Sequence, residues 1–570
     1  MLVILNPSLD DPAWSMIGMD SVDPDPLSAR SIGVMGEWLE VCSSRQQGHN
    51  KCTPWDSRAV TLPTRVIDVR SQVPKLYTPS ANEAGLYATL SYCWGGPQPH
   101  STTAARLTGY HKFLPMDSFP ATIRDAIALT RALELPYLWI DSLCIIQDSE
   151  TDKIKEIAKM SQVYKNSWVT LSAATASKCD EGFLGIRKET QSRLERSVTI
   201  SMACPGGVTG SIMLTPARFN GLNMRDEDKF PIDRRAWTYQ EYLLSPRVIS
   251  FYHDYIEFKC PGGILSDDGL KAEELRLNPP MFARQSKLGP LFYQSDSEID
   301  PDLRKKAVSP EARKILGQLW DNVVSEYTPG RLTNPDDKLP AVSALASEFQ
   351  RIFGDEYLAG LWKGNLMHDL QWFAFPPAHG ESPVPKYRVP TWSWASINNY
   401  SVYPHEATRY SVQSNRAEIT HCSVDLVSEV APLGQVKGGL LTIRAPMKTL
   451  SLREAWQHFG CGPRADRTKT IGMIDVDFRW KVPKDGSIRG ELGIPENKGP
   501  LFFLGLSMRP EDKYETCGLV LLETADNQYE RFGLFKVGAA DDLIAIPSWH
   551  QQVATESWGS DYEVKTVSIR

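Results

Sequence analysis

The sequence has no long hydrophobic run. Nowhere do about eighteen apolar residues follow one another, so no membrane-spanning helix is expected. The short apolar run 2–5 has no basic segment before it and ends at Asn6-Pro7, which argues against a signal peptide. The 10 cysteines are dispersed through the chain, and without an export signal they are expected to be free thiols. These absences predict a cytoplasmic protein.

The sequence also lacks a strong charge of either sign. Its 62 Lys and Arg residues against 69 Asp and Glu residues give a net charge of −7, so neither nucleic acid nor an anionic membrane is an expected partner. Hydrophobic residues make up 42% and charged residues 23% of the chain, which are ordinary globular proportions. At about 150 residues per domain, the length indicates several domains.

Standard catalytic and cofactor-binding motifs are mostly missing. The sequence has no GxxxxGK[ST] loop, no GxGxxG after a predicted strand, no HExxH and no GxSxG. Cys42, His49 and Cys52 could supply three zinc ligands, but no fourth ligand lies nearby and the spacing fits no standard zinc finger. A short amphipathic helix with two buried thiols is the preferred interpretation, and no metal site is predicted.

Strands and helices alternate from about residue 65. Apolar, strand-forming segments are expected at 65–69, 86–94, 137–140 and 168–174. Helices are expected between them, with capping-box spacing at Thr122 and Asp125 and at Ser149 and Asp152. This alternation is typical of a parallel sheet with right-handed crossovers.

Composition and patterning divide the whole chain into four regions. We predict a lead-in segment over residues 1–60, an α/β domain over 61–260, a mainly helical region over 261–385 and a β-rich C-terminal region over 386–570. The lead-in is rich in Asp, Pro and Ser, and loose packing is expected there.

Three segments carry unusual polar residues: YATLSYCWG (87–95), LWIDSLCIIQD (138–148) and RAWTYQE (235–241). The first two place polar side chains beyond the carboxyl ends of apolar strands, where ligands bind in open α/β sheets. The third places Gln240 and Glu241 on a short helix beside Trp237. If these three blocks meet, they form an aromatic-walled crevice with two carboxylates, which suits a ring-bearing ligand.

In order and approximate spacing, the three blocks resemble the signature segments of the fungal heterokaryon-incompatibility (HET) domain. The likeness covers roughly residues 60–260, with weaker likeness at 337–341 and 390–395. It implies a role in fungal self/non-self recognition, in which HET domains trigger or execute programmed cell death. It also implies distant similarity to TIR domains, which have a flavodoxin-like sheet and some of which cleave NAD with a glutamate.

The resemblance makes Glu241 and Asp141 the candidate catalytic residues. A carboxylate can stabilise the oxocarbenium-like state through which NAD is cleaved. The alternative is structural, because a glutamate on a short helix before a proline is most often a solvated or salt-bridged residue. Asp141 could bind a ribose hydroxyl, or it could cap the following loop by accepting hydrogen bonds from backbone amides.

Six further residues are candidates for ligand binding: Ser91, Trp94, Gly95, Arg235, Trp237 and Gln240. The tryptophans could stack on a base or nicotinamide ring or pack in the core, and Arg235 could pair with a phosphate or neutralise a nearby carboxylate. NAD is then a substrate rather than a bound cofactor. The alternative function is a non-enzymatic module that associates with itself or with another incompatibility protein, and no ankyrin, WD-repeat or nucleotide-binding partner domain is recognisable in the chain.

Overall fold

The computed structural model describes eighteen segments of the chain: residues 2–5, 11–17, 22–46, 48–49, 52, 60–216, 230–268, 310–375, 388–397, 401–403, 414–415, 417–451, 459–461, 472–476, 501–508, 516–524, 526–537 and 562–570. The chain folds into two compact units, Met1–Glu298 and Ile299–Arg570. Residues 269–309 and 376–385 of the predicted helical region lie outside the described segments. Within the described segments, no helix combines the length and the apolar character needed to cross a bilayer.

The first unit alternates helices and strands. Its strands are β1 (Leu2–Leu5), β2 (Val60–Thr61), β3 (Val66–Asp68), β4 (Lys75–Tyr77), β5 (Ala84–Gly85), β6 (Tyr87–Ser91), β7 (Tyr137–Trp139), β8 (Val169–Ser172), β9 (Val198–Ala203), β10 (Thr209–Pro216), β11 (Val248–Phe251), β12 (Ile256–Cys260) and β13 (Gly263–Ser266). Its helices are α1 (Trp14–Ile17), α2 (Ala29–Ser43), α3 (Ala104–Tyr110), α4 (Ala121–Ala132), α5 (Asp141–Cys144), α6 (Glu150–Lys165), α7 (Lys188–Glu195) and α8 (Ala236–Leu244).

An eight-stranded sheet forms the centre of this unit, in the order β13-β12-β11-β8-β6-β7-β3-β4. The four strands β11, β8, β6 and β7 are parallel to one another. The outer strands pair antiparallel. The expected parallel sheet is therefore corrected to a mixed one. Helices lie in the connections between the parallel strands. Short turns instead connect β3 to β4, β11 to β12 and β12 to β13. These strands pair antiparallel because a short turn can join only antiparallel neighbours.

Local sequence signals explain most of these elements. Strand β6 is buried at every position, as expected for a strand covered on both faces of a sheet. Helix α6 begins at its predicted cap, where the Ser149 hydroxyl accepts a hydrogen bond from the Asp152 backbone amide. The capping box predicted at Thr122 is wrong, because α4 already begins after Pro120 and the Asp125 carboxylate instead accepts from loop amides at 183–184.

The N-terminal segment is attached to the sheets of the first unit and differs from the loose packing expected. Strand β1 pairs with β10 in a three-stranded sheet. The expected amphipathic helix is present as α2, whose buried Met35, Leu39 and Cys42 recur at helical spacing. Its Trp38 stacks on Phe258 of β12 with ring centroids 5.8 Å apart. A contact across more than 200 residues leaves no local sequence pattern.

The second unit is helical first and β-rich afterwards, as predicted. Its helices are α9 (Pro310–Tyr327), α10 (Pro340–Phe353) and α11 (Leu366–Asp369). Its strands are β14 (Tyr357–Leu358), β15 (Leu361–Trp362), β16 (Phe373–Phe375), β17 (Ser401–Tyr403), β18 (Ser414–Asn415), β19 (Glu418–Leu426), β20 (Val436–Leu450), β21 (Phe459–Cys461), β22 (Gly472–Val476), β23 (Leu501–Met508), β24 (Thr516–Glu523), β25 (Tyr529–Val537) and β26 (Glu563–Ile569). Pairing runs from β20 through β26, β25, β24 and β23 back to β20, which closes a barrel.

Candidate functional site

A row of serines crosses the carboxyl ends of three adjacent parallel strands. Ser91 ends β6, Ser172 ends β8, and Ser250 lies one residue before the end of β11. The strand register pairs Ser91 with Ser172 and Ser172 with Ser250. All three side chains are buried. Buried hydroxyls need hydrogen-bond partners, so this edge of the sheet is a polar region between apolar layers.

A small cleft with a free volume of about 20 Å³, enough for a water molecule, lies at this row. The three serines line it together with Asp233 and Tyr252, among other side chains. The cleft therefore combines strand ends with the segment that leads into α8. Its hydroxyl, carboxyl and aromatic groups can form hydrogen bonds and ring contacts with a polar group that enters it.

Helix α8 holds Glu241 against the first block. The Ser91 hydroxyl donates to Glu241 Oε2 at 2.5 Å. The Tyr164 hydroxyl, which donates to the Leu90 carbonyl oxygen at 3.2 Å, lies near enough to the Glu241 carboxyl to lower its pKa. Glu241 is only 5% exposed and is not among the residues that line the cleft. Ser91 both lines the cleft and bonds Glu241, so the carboxyl is one side chain removed from the cleft.

Burial raises the pKa of Glu241 to about 7. The hydrogen bond from Ser91 opposes this shift, the nearby charge of Asp141 adds to it, and the Arg235 guanidinium opposes it. An ordinary surface glutamate is fully ionised at neutral pH. Glu241, in contrast, exists in both protonation states near pH 7, as is typical of acid–base groups in enzymes.

Asp141 begins α5 and connects the first two blocks. Its Oδ1 accepts a hydrogen bond from the Ser142 backbone amide at 2.6 Å, and its Oδ2 accepts one from Trp94 Nε1 at 2.9 Å. Burial raises the pKa of Asp141, and the Arg235 guanidinium opposes that rise. The loop-capping contact considered from the sequence is thus present, and each carboxylate oxygen has a donor from the protein.

Arg235 brings the third block to the other two. Its guanidinium donates to the Tyr92 carbonyl oxygen and interacts electrostatically with both Asp141 and Glu241. A single cation close to two buried carboxyl groups offsets part of their mutual repulsion. The three blocks therefore meet around Arg235.

The other predicted residues have varied surroundings. Trp94 and Trp237 are half-buried and Gln240 is buried. Gly95 is exposed with φ of +70°, and a Cβ atom there would lie 2.6 Å from the Lys178 Cα atom, so the backbone turn itself requires glycine. None of these four residues lines the cleft at the serine row.

Sequence reasoning missed Ser172, Ser250 and Tyr164. Each serine lies at or next to the end of an apolar segment, but many strands end in a polar residue. The serines form a row only when the order of the strands is known. Tyr164 approaches Glu241 from α6, and helical periodicity identifies it only as a buried position.

Comparison with known proteins identifies the part of the chain that carries these blocks. Residues 87–241 match the family model described as heterokaryon incompatibility protein (HET). The match begins at the first residue of β6 and ends at Glu241, so it includes all three blocks. No curated protein and no solved structure matches the chain. The chain therefore contains a region, residues 87–241, that matches the HET family.

Proposed function

We propose that this protein acts in fungal heterokaryon incompatibility and brings about cell death by cleaving NAD in its HET domain. One observation carries the proposal. Two carboxyl groups, Glu241 and Asp141, lie close to Arg235 at the carboxyl edge of parallel strands, next to a small polar cleft. Burial of charged groups costs free energy, and such costs are concentrated at functional sites.

The order of the parallel strands supports a TIR-like, flavodoxin-like sheet. Counted along the chain, β6, β7, β8 and β11 are the first to fourth parallel strands, and they lie in the order 2-1-3-4. This is the beginning of the flavodoxin order, in which ligands bind between the first and third strands. Here that position lies between β6 and β8, where Ser91 and Ser172 line the cleft.

The proposed reaction breaks the bond between the nicotinamide nitrogen and ribose C1′. The bonding electrons leave with nicotinamide, and positive charge develops on the ribose ring. The Glu241 carboxylate stabilises that charge, and water then adds to C1′ and loses a proton, giving ADP-ribose. A ribose hydroxyl entering the cleft replaces the Ser91 hydroxyl as the partner of Glu241. Asp233 and the serine row supply hydrogen bonds to the sugar, and Tyr252 supplies an aromatic face.

The burial of Glu241 favours a second candidate function. With 5% exposure and a bond from Ser91, the glutamate could serve only to hold α8 against β6. The HET domain would then act by docking a partner or a second copy of the chain, and the carboxyl groups would be structural.

Expression in a fungal host tests the proposed function. The wild-type chain should reduce viability, and Glu241→Gln, which keeps the size and the hydrogen-bond acceptor, should restore it at equal protein level. Glu156→Gln is the matched control. Glu156 is also a buried glutamate of the first unit, and its carboxylate also accepts a hydrogen bond from a hydroxyl, that of Thr64, at 2.9 Å. If Glu241→Gln reduces viability as strongly as the wild type does, the enzymatic function is excluded and the docking function is favoured.

A further inference from the structure

Four metal-binding side chains meet at the edge of the eight-stranded sheet. Cys42, His49, Cys52 and Cys260 are all buried, and one ligand atom of each lies within 4.8 Å of the others. Three of them belong to the N-terminal segment, and Cys260 is the last residue of β12. Cys260 is 208 residues from Cys52, so local spacing in the sequence could not identify the fourth member.

The distances between these atoms agree with tetrahedral coordination. The Cys52 and Cys260 sulfurs are 3.6 Å apart, and His49 Nδ1 is 3.4 Å from the Cys52 sulfur and 3.2 Å from the Cys260 sulfur. With Zn–S near 2.3 Å and Zn–N near 2.05 Å, a tetrahedron has S···S edges of about 3.8 Å and S···N edges of about 3.6 Å. The observed edges are a few tenths of an ångström shorter. The three cysteines are free thiols rather than disulfide-bonded.

The surroundings also suit thiolate and imidazole ligands. The Gly262 backbone amide donates to the Cys260 sulfur at 3.3 Å. A Cβ atom on Gly262 would lie 2.7 Å from His49 Nδ1, so only glycine lets the imidazole approach this turn. The Arg247 guanidinium interacts with Cys42, and Arg45 Nε donates to the Cys52 carbonyl oxygen at 3.0 Å. A guanidinium and a backbone amide beside the sulfurs suit thiolates, which are the form in which cysteine binds a metal.

We propose that Cys42, His49, Cys52 and Cys260 bind a structural zinc ion. Three thiolates and His49 Nδ1 fill the four positions that zinc prefers, which leaves none open for a substrate. Binding deprotonates the three thiols and releases their protons to solvent. The ion would join the end of α2 and the following turn to β12, and so attach the N-terminal segment to the sheet.

The metal content of the purified full-length chain tests this site. We expect about one zinc per wild-type chain by mass spectrometry of the element, retained through gel filtration. Cys42→Ser and Cys260→Ser should each retain less than about a tenth of that amount. Cys204→Ser is the matched control, because Cys204 is a buried thiol of the same unit outside the cluster, and it should keep its zinc. Equal zinc in Cys42→Ser and the wild type would overturn the proposal.

Cobalt(II) binding by the wild-type chain tests the site without relying on a variant that fails to fold. After removal of bound metal, cobalt(II) should give the visible bands of a tetrahedral site and a thiolate-to-cobalt absorption in the near ultraviolet. His49→Cys should still bind cobalt, with bands shifted to longer wavelength because a fourth thiolate replaces the imidazole. A folded wild-type chain that takes up neither zinc nor cobalt, or that contains a Cys52–Cys260 disulfide, would refute the site.

Discussion

Single residues of the candidate site depend on contacts between distant segments. The sequence identifies Glu241 and places it on a short helix, as observed in α8. It does not identify Ser91 as the hydrogen-bond partner of Glu241 or Tyr164 as its neighbour. These residues lie 150 and 77 positions away and approach Glu241 only when β6, α6 and α8 pack together. The pKa of about 7 results from this burial, and no sequence pattern reports burial of a particular carboxyl group.

Glu241 should make the stability of the first unit depend on pH. Burial raises its pKa from 4.5 to about 7, so between these values the folded chain holds a proton that the unfolded chain has lost. The free energy of unfolding should therefore fall as pH rises from 4.5 to 7, by up to roughly 3 kcal/mol, and change no further above pH 7 through this group. Glu241→Gln removes this contribution.

Urea denaturation of both chains between pH 4.5 and 8 measures the effect. The stability of the wild type relative to Glu241→Gln should decrease with rising pH. Parallel profiles for the two chains would mean that Glu241 has an ordinary pKa and that its burial has been overstated.

Helix α6 is the element that the sequence predicts best. The Ser149–Asp152 spacing identifies its start, and Met160 and Tyr164, which are one helical turn apart, lie on its buried face. The Asp152 carboxylate has a further role that the spacing did not indicate. It forms an ion pair with Arg65 at 2.5 Å, between side chains that are 18% and 9% exposed.

Two substitutions in α6 should distinguish the contribution of its N-terminal cap to stability from that of its ion pair. Ser149→Ala should lower the free energy of unfolding by about 1 kcal/mol, because one backbone amide loses its acceptor. Asp152→Asn should lower it by about 3 kcal/mol, because it leaves the largely buried Arg65 without its carboxylate. The exposed Lys155→Ala should change it by no more than about 0.5 kcal/mol. Equal effects of the first two substitutions in urea denaturation would contradict this assignment.

At the scale of the whole molecule, the chain forms two units, and sequence patterns describe them unequally. Alternating strands and helices indicate the α/β class of the first unit, but the antiparallel outer strands depend on turn lengths. The second unit is predicted as helical and then β-rich. Its barrel closes through strands far apart in the chain, because β20 pairs with β26, with Leu441 opposite Ile569. Composition identifies strands but not such distant pairings.

Removal of zinc should affect the first unit alone. If the proposed ion joins α2 to β12, chelation should speed amide hydrogen exchange in Ala29–Ser43 and Ile256–Cys260. Exchange in the barrel strands β20 and β24 should not change. Hydrogen-exchange mass spectrometry before and after chelation measures both regions in one sample. Faster exchange in the barrel after chelation, or an unchanged exchange rate in α2, would contradict the expected location.

Release of nicotinamide from NAD by the purified chain, at high protein concentration to allow assembly, tests the central claim most directly. The wild type should release nicotinamide and ADP-ribose in equal amounts. Glu241→Gln should be slower by at least about 100-fold, since it removes the charge that stabilises the ribose cation. Glu156→Gln should be as active as the wild type. A folded wild type that releases no nicotinamide, or a Glu241→Gln chain as active as the wild type, would contradict the account.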